Sequence, residues 1–282
     1  MSALPFDLAK QVTTALAEDI GSGDVTAELV PATQHVTGKV ITREQAILCG
    51  CAWVAETFRQ LDPSVRLTWH ASDGDRVTPN QTLFEVTGLA RPVLTGERTA
   101  LNFLQLLSAT ATAARAYVDA IAGTECAILD TRKTLPGLRT AQKYAVVCGG
   151  GQNHRVGLFD RVLIKENHIA AAGSLAAAIA AGRRAAGARK VEVEVETLAE
   201  FAEALDAAPD IILLDEFSLA DMKSAVEINR SKGRPVKLEA SGSVNLETVR
   251  SVAQTGVDYI SIGGITKHVR AVDLSMRLDF VH

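Results

Sequence analysis

The residues of this chain best suited to chemistry are gathered near its middle. T-R-K-T at 131–134 is followed by G-G-G-Q-N-H-R at 149–155 and L-I-K-E-N-H at 163–168. Between Thr131 and Lys165 there are seven Lys or Arg against one acid, Asp160, a local net of +6 in a chain whose formal charge is −4. A basic cluster inside an acidic protein points to a local anion site rather than a general nucleic-acid surface. Arg132 and Lys133 offer complementary grips, since a guanidinium forks onto a carboxylate and an ammonium meets phosphate as a point charge. His154 reads as a hydrogen-bonding partner of a substrate, with general base as the alternative. Gly149, Gly150 and Gly151 read as a flexible part of the same anion site.

Acids follow the cations. V-E-V-E-V-E at 191–196 alternates perfectly, so Glu192, Glu194 and Glu196 share the face opposite the three valines. Three like charges on an inner face need cations or a metal to neutralise them. Lys165 ends the preceding apolar run and Asp215 ends the next, I-I-L-L-D. The bland alternative is an edge strand with one solvated face. Two later runs close on small residues, S-G-S (Ser241, Gly242, Ser243) and I-G-G (Ile262, Gly263, Gly264). Such loops let backbone N–H groups approach a phosphate, although ordinary tight turns share the pattern. Lys165 as a Schiff-base lysine is the competing chemistry. It ranks lower because Arg-rich, carboxylate-rich surroundings suit an anionic substrate with a metal.

The elements that must hold these residues fall into two halves. The first mixes a helix at 4–18, a strand at 37–43, an amphipathic helix at 46–61 and strands at 66–70 and 81–87 around D-G-D-R-V-T-P-N. A long Ala-rich helix at 96–122 leads out of it. In the second half six short apolar runs end in polar residues, with markers at Asp130, Lys165, Glu194, Asp215, Glu239 and Gly263, and Ala-rich helical segments lie between them. This is a βα repeat with a parallel sheet. A barrel gathers the carboxyl ends of its strands on one face, where active sites are built. A doubly wound open sheet is the alternative. With six strands a barrel is incomplete or borrows something to close. The expected domains are an N-terminal α/β sandwich at 1–110, an α/β barrel at 111–268 and a tail at 269–282 packing back on the first domain.

Composition narrows the classes. The hydrophobic fraction of 47% supports a sizeable core. An apolar run of about 18 residues, the length that crosses a membrane, is missing. M-S-A-L-P-F-D-L-A-K lacks the charged and apolar regions of a signal peptide. Cys49, Cys51, Cys126 and Cys148 have no zinc-like or C-x-x-C spacing and read as reduced thiols of a cytoplasmic protein.

T-R-K-T with P-G-L-R, G-G-G-Q-N-H-R, L-I-K-E-N-H, V-E-V-E-V-E-T, I-I-L-L-D and E-A-S-G-S together resemble the quinolinate phosphoribosyltransferases, as do E-D-I-G-S-G-D-V-T at 18–26 and G-E-R-T-A-L-N-F-L-Q at 96–105. The resemblance covers essentially the whole chain. It implies an N-terminal α/β sandwich with an incomplete TIM-like α/β barrel, and a type II phosphoribosyltransferase that joins quinolinate to 5-phosphoribosyl-1-pyrophosphate (PRPP) with Mg²⁺ and releases pyrophosphate and CO₂. By motif it implies that Arg132, His154, Arg155 and Lys165 hold quinolinate, that Lys133 meets the donor's phosphates and that Thr131 is among the substrate-binding residues. It assigns Glu194 and Asp215 to the ribose hydroxyls and Mg²⁺, and Ser241, Gly242, Ser243, Ile262, Gly263 and Gly264 to the 5-phosphate. Lys133, Lys165, Glu194 and Asp215 are the expected catalytic set. Arg98 is expected to reach a partner subunit's site, so the implied assembly is a homodimer with shared active sites, or a hexamer of dimers. No nucleic-acid or membrane partner is expected. Of three rivals, the first is discounted and two stay open. I-I-L-L-D-E-F-S faintly resembles the donor motif of type I phosphoribosyltransferases, but F-S-L-A follows instead of a small Thr/Gly loop. A paralogue associated with molybdenum-transport operons takes another substrate. A non-catalytic anion-binding barrel would need no Glu194–Asp215 pair.

Overall fold

Alternation builds the first sheet. In the computed structural model, which describes residues 3–281, strand β1 (His35–Thr42) buries Val36, Gly38, Val40 and Thr42 and turns the intervening residues outward. After β2 (Ala46–Ile47), β3 (Arg66–Trp69) and β4 (Arg76–Val77) comes β5 (Thr82–Leu89), which pairs antiparallel with β1. Met1, Ser2 and His282, at the ends of the expected domains, lie outside the described residues. The last strand, Leu274–Val281, covers the other edge of β1, giving a four-stranded sheet whose order runs from that strand through β1 and β5 to β3.

Helices α1 (Leu8–Ile20), α2 (Cys51–Leu61) and the 31-residue α3 (Ala90–Ala120) complete this unit with α4 (Arg139–Cys148). Two apolar clusters hold it. Val36, Val40, Phe84 and Val86 pack with Val93, Ala100 and Leu104 of α3. Val12 and Leu16, Trp53, Phe103 and Leu107, and Tyr144 form the second. The helix expected at 46–61 divides here. Ala46–Ile47 pairs with β4, and the helix starts only at Cys51. Gly50 has φ 118°, and Asp73 Oδ1 accepts from the N–H groups of Gly50 and Cys51 at 2.9 and 3.0 Å. A left-handed residue capped from outside breaks the helical run that periodicity suggested.

The second unit follows the βα repeat. Strands β6 (Ala127–Leu129), β7 (Val162–Ile164), β8 (Val191–Val195), β9 (Ile211–Asp215), β10 (Lys237–Ser241) and β11 (Tyr259–Ser261) form one parallel sheet in the order β6-β11-β10-β9-β8-β7. The final strand of the first sheet is therefore β12. Helices α5 (Glu166–Ala172), α6 (Leu175–Ala186), α7 (Leu198–Ala207), α8 (Leu219–Ser231) and α9 (Val249–Ala253) lie between the strands from β7 to β11, and α10 (Gly264–Lys267) follows β11. Ser174, Thr197 and Ser218 cap α6, α7 and α8 by accepting from Ala177, Glu200 and Asp221 N–H groups. Among the described residues β6 and β7 do not pair, so the barrel is incomplete. The two units interleave along the chain. One takes 1–115, 134–150 and 266–282, the other 116–133 and 151–265, where the sequence reading set boundaries near residues 110 and 268 and no interleaving at 134–150. Among the described residues no helix is long and apolar enough to cross a membrane.

Gly149 is fixed by contact rather than flexibility. Its φ of −72° suits any residue, but a Cβ would lie 2.4 Å from the Ala111 carbonyl oxygen and 2.6 Å from Ala114 Cβ on α3. Gly149→Ala is predicted to lower stability by about 1–3 kcal/mol through overpacking. Urea unfolding measures it, and an unchanged midpoint would contradict the close approach.

Candidate active site

Register decides which side chains share a face. Glu194 pairs with Leu213, and Leu213 pairs with Glu239, so these three point the same way. Asp215 lies two residues beyond Leu213 and pairs with Ser241, adding both to that face. Ile164 pairs with Val193, so Lys165 emerges level with Glu194. The opposite face carries Val191, Val193, Val195, Ile212 and Leu214, all buried. A Cβ on Gly182 of α6 would come within 2.9 Å of Ile164 and 3.4 Å of Val191, which shows the helix layer pressed on this apolar side. Valines outward and acids inward is the arrangement expected for V-E-V-E-V-E, with one correction. The strand ends at Val195, and Glu196 is exposed, its N–H donating to Glu200.

Three groups of expected site residues come together at the strand ends. Lys165 Nζ donates to Glu194 Oε2 at 2.5 Å, with Asp215 on the neighbouring strand. The Lys165 N–H donates to His168 Nδ1 at 3.0 Å, which explains the K-E-N-H spacing as a turn that fixes the lysine's backbone. After β6, Thr131 Oγ1 accepts from the Lys133 N–H at 3.0 Å. A Cβ on Gly263 would stand 2.9 Å from Lys133 Cδ and 3.5 Å from Thr131 Oγ1, so the Ile262-Gly263-Gly264 turn and T-R-K meet directly. After β10, Gly242 (φ 93°) and Ser243 (φ 44°) are left-handed. Ser243 donates to Glu216 Oε1 at 2.8 Å, and a Cβ on Gly242 would meet the Glu216 carboxyl at 2.5 Å. An anion seated on this loop therefore requires the exposed Glu216 side chain to swing away.

Below them lies a buried polar cluster. Asp130, fully buried, accepts from the His154 N–H at 2.8 Å and from Asn153 Nδ2 at 2.7 Å. His154 Nδ1 accepts from the Arg155 N–H at 2.7 Å, and Nε2 lies 3.1 Å from Glu192. A backbone N–H can only donate, so the ring proton sits on Nε2 and points at Glu192. Arg161 donates to the same carboxylate at 3.1 Å, and Glu239 comes within 3.5 Å of His154 Nε2. Burial pushes the Glu192 carboxyl up, but the His154 hydrogen bond and the Arg161 charge prevail and hold it low. Burial and the neighbouring Glu192 charge push Glu239 well up. Burial and the positive Arg132 hold the Arg155 guanidinium below its ordinary value.

Arg98 is exposed on α3, in the other compact unit from these residues. The cation run also divides. Arg132, Lys133, Arg155, Arg161 and Lys165 belong to the barrel unit, while Arg139 and the buried Lys143 stand on α4. Sequence reasoning counted Arg161 only as one of the seven cations of the run, with no role of its own, and used Asp130 and Glu239 only as strand-end markers. For Glu239 the signal was present, since it occupies the same alternating position in K-L-E-A-S that Glu194 holds in its strand. Glu194 and Asp215 are an oxygen-only donor pair on adjacent strands, which suits a hard cation. His154, Glu192 and Glu239 place their polar atoms within 4.8 Å of one another, but there Arg161 already supplies positive charge.

The chain matches the family described as quinolinate phosphoribosyl transferase, by its N-terminal domain over residues 24–108 and its C-terminal domain over residues 110–277. It is 42% identical over 284 residues to the nicotinate-nucleotide pyrophosphorylase (carboxylating) of Mycobacterium leprae, covering 99% of this chain and 100% of that one. The probable nicotinate-nucleotide pyrophosphorylase (carboxylating) of Bacillus subtilis is 39% identical over 272 residues, covering 96% and 93%. The solved nicotinate-nucleotide pyrophosphorylase of Francisella tularensis superposes with a TM-score of 0.94 at 47% identity over 98% of each chain.

Glu239 generates a pH prediction. Its folded value lies above its unfolded one, so as pH rises the unfolded chain gives up this proton first. The stability it contributes is complete below the ordinary carboxylate value and is lost as pH climbs toward the raised one. Glu239→Gln keeps the shape and removes the titration. The Tm of the variant is expected to gain steadily on wild type as pH rises above about 4, the ordinary carboxylate value. A constant difference above that value would show that Glu239 does not titrate as described.

Proposed function

The chain belongs to the quinolinate phosphoribosyltransferase family, and we propose that it transfers the phosphoribosyl group of PRPP to quinolinate, releasing pyrophosphate and CO₂ and forming nicotinate mononucleotide. The observation that carries this reading is the row of Lys165, Glu194 and Asp215 at the carboxyl ends of adjacent parallel strands, with Lys165 and Glu194 in contact at 2.5 Å. It faces a dicarboxylate and a polyphosphate with paired cations and acids, as two anionic substrates and a divalent metal require.

Arg132, Arg155 and Lys165 hold the two carboxylates of quinolinate, with His154 beside them. Lys133 and Thr131 meet the donor's phosphates. The Ser241-Gly242-Ser243 and Ile262-Gly263-Gly264 turns receive its 5-phosphate through backbone N–H groups once Glu216 has swung aside. Glu194 and Asp215 hold the ribose hydroxyls and would hold Mg²⁺, which when bound offsets the charge of the departing pyrophosphate. As the bond from C1 to pyrophosphate stretches, positive charge grows on the ribose. The two carboxylates stabilise it electrostatically. The pyridine nitrogen forms the new bond to C1 while the old bonding pair leaves with pyrophosphate. The pyridinium then accepts the electron pair of the adjacent C–CO₂⁻ bond, CO₂ departs, and the ring carbon takes a proton. Arg98 is supplied by a second copy, so the working enzyme is a homodimer with shared active sites, or a hexamer of dimers, in the cytoplasm.

The direct test mixes the protein with quinolinate, PRPP and Mg²⁺ and follows nicotinate mononucleotide. Product is expected, and a chelator is expected to abolish it. Equal use of nicotinic acid, or a borohydride-trapped adduct on Lys165, would overturn the assignment. Glu194→Gln and Asp215→Asn should each lower kcat by about a hundredfold or more, because they remove preorganised charge. Arg132→Ala should act mainly on the KM for quinolinate.

A further inference from the structure

Of the four residues expected around quinolinate, His154 alone is buried, and both of its ring nitrogens are engaged within the chain. The bonds are arranged around one peptide. The N–H of His154 is held by Asp130, and the N–H of Arg155, one residue on, is held by the imidazole Nδ1. Nε2–H is anchored on Glu192, Glu192 on Arg161, and Glu239 lies 3.5 Å from the same Nε2. Asp130, Glu192 and Glu239 are fully buried, so this frame cannot easily relax into solvent. What the frame presents is Arg155, whose guanidinium is repelled by that of Arg132. Two like charges meant to close on one dicarboxylate drift apart when no anion lies between them, unless the backbone that carries them is fixed.

Resting on the functional reading above, we infer that His154 is a positioning residue: the buried chain Asp130–His154–Glu192–Arg161 locks the backbone at residues 154–155 and aims Arg155 at a carboxylate of the acceptor, and the imidazole does not itself touch the acceptor. The frame explains why a histidine stands here rather than a third arginine. Only imidazole offers an acceptor to the next N–H and, across the same rigid ring, a donor to Glu192.

Two variants separate the two ends of the ring. Asn at 154 places an amide oxygen near the Nδ1 position and keeps the bond to the Arg155 N–H. Gln at 154 reaches the Nε2 position and loses that bond. With calorimetric binding of quinolinate as the readout, His154→Gln should weaken binding by about tenfold, one hydrogen bond's worth, while His154→Asn stays within about threefold of wild type. In an Arg155→Ala background, His154→Gln should add nothing, because residues acting through one another are not additive. An unchanged KM for PRPP shows that the variants remain folded. Losses for Asn as large as those for Gln would mean that the Nδ1 bond to the Arg155 N–H does not set the aim, and losses that add to those of Arg155→Ala would mean that the imidazole contacts the acceptor; either overturns the inference. Amide hydrogen exchange at Arg155 tests the same bond without any ligand. Protection is expected in wild type and His154→Asn and loss of protection in His154→Gln, and an unprotected wild-type amide refutes the lock. Wild-type protein that binds no quinolinate while Arg155 stays protected would sink the functional reading and leave the lock standing.

Discussion

A two-residue period in a parallel sheet is the constraint on which this protein depends. It sends Val191, Val193, Val195, Ile212 and Leu214 into the helix layer and turns Glu192, Glu194, Asp215 and Glu239 inward. A slip of one residue would exchange the two sets and destroy core and site together. Four acids on one inner face must be balanced, and each is balanced differently. Lys165 neutralises Glu194 at the rim. Arg161 and His154 hold Glu192 in the interior. Burial and the neighbouring Glu192 charge raise the Glu239 carboxyl, so it gives up its proton at higher pH than an ordinary carboxyl does. Asp215 faces the strand ends with less of itself buried. The deeper acids are thus tied into the interior, and the shallower pair, Glu194 and Asp215, is the more accessible one.

This grading by depth was only half legible in the sequence. The alternation of V-E-V-E-V-E and the position of Lys165 and Asp215 at strand ends follow from periodicity alone, and the six strands fall where apolar runs predicted them. Depth does not follow from periodicity. Nothing local distinguishes Glu192, with no exposure, from Glu196, which lies past the strand end in the open. The cation run misled in the same way. Arg139 and Lys143 are neighbours of Arg132 in sequence, but α4 carries them in a different compact unit.

The first sheet shows why short elements escape sequence reading. β2 and β4 are two residues each and exist because each pairs with the other across the chain, not through their own propensity. The helix start at Cys51 is set by a distant carboxylate, Asp73, which no window around residue 46 contains. Gly149 looks like a hinge in sequence and is a packing contact in space. Long-range partners decided each of these cases. The same holds for the loop after β10, where left-handed Gly242 and Ser243 face Glu216 across the strand ends.

The account rests on the claim that the rim acids and cations work as one charge-balanced unit in phosphoribosyl transfer. A double-mutant cycle on Lys165 and Glu194, read as kcat/KM for nicotinate mononucleotide formation, tests it most directly. Strong coupling is predicted, of about 1–3 kcal/mol, with the double variant far less impaired than the two single losses combined. Strictly additive losses would mean that the 2.5 Å contact between them is incidental, and would contradict the account.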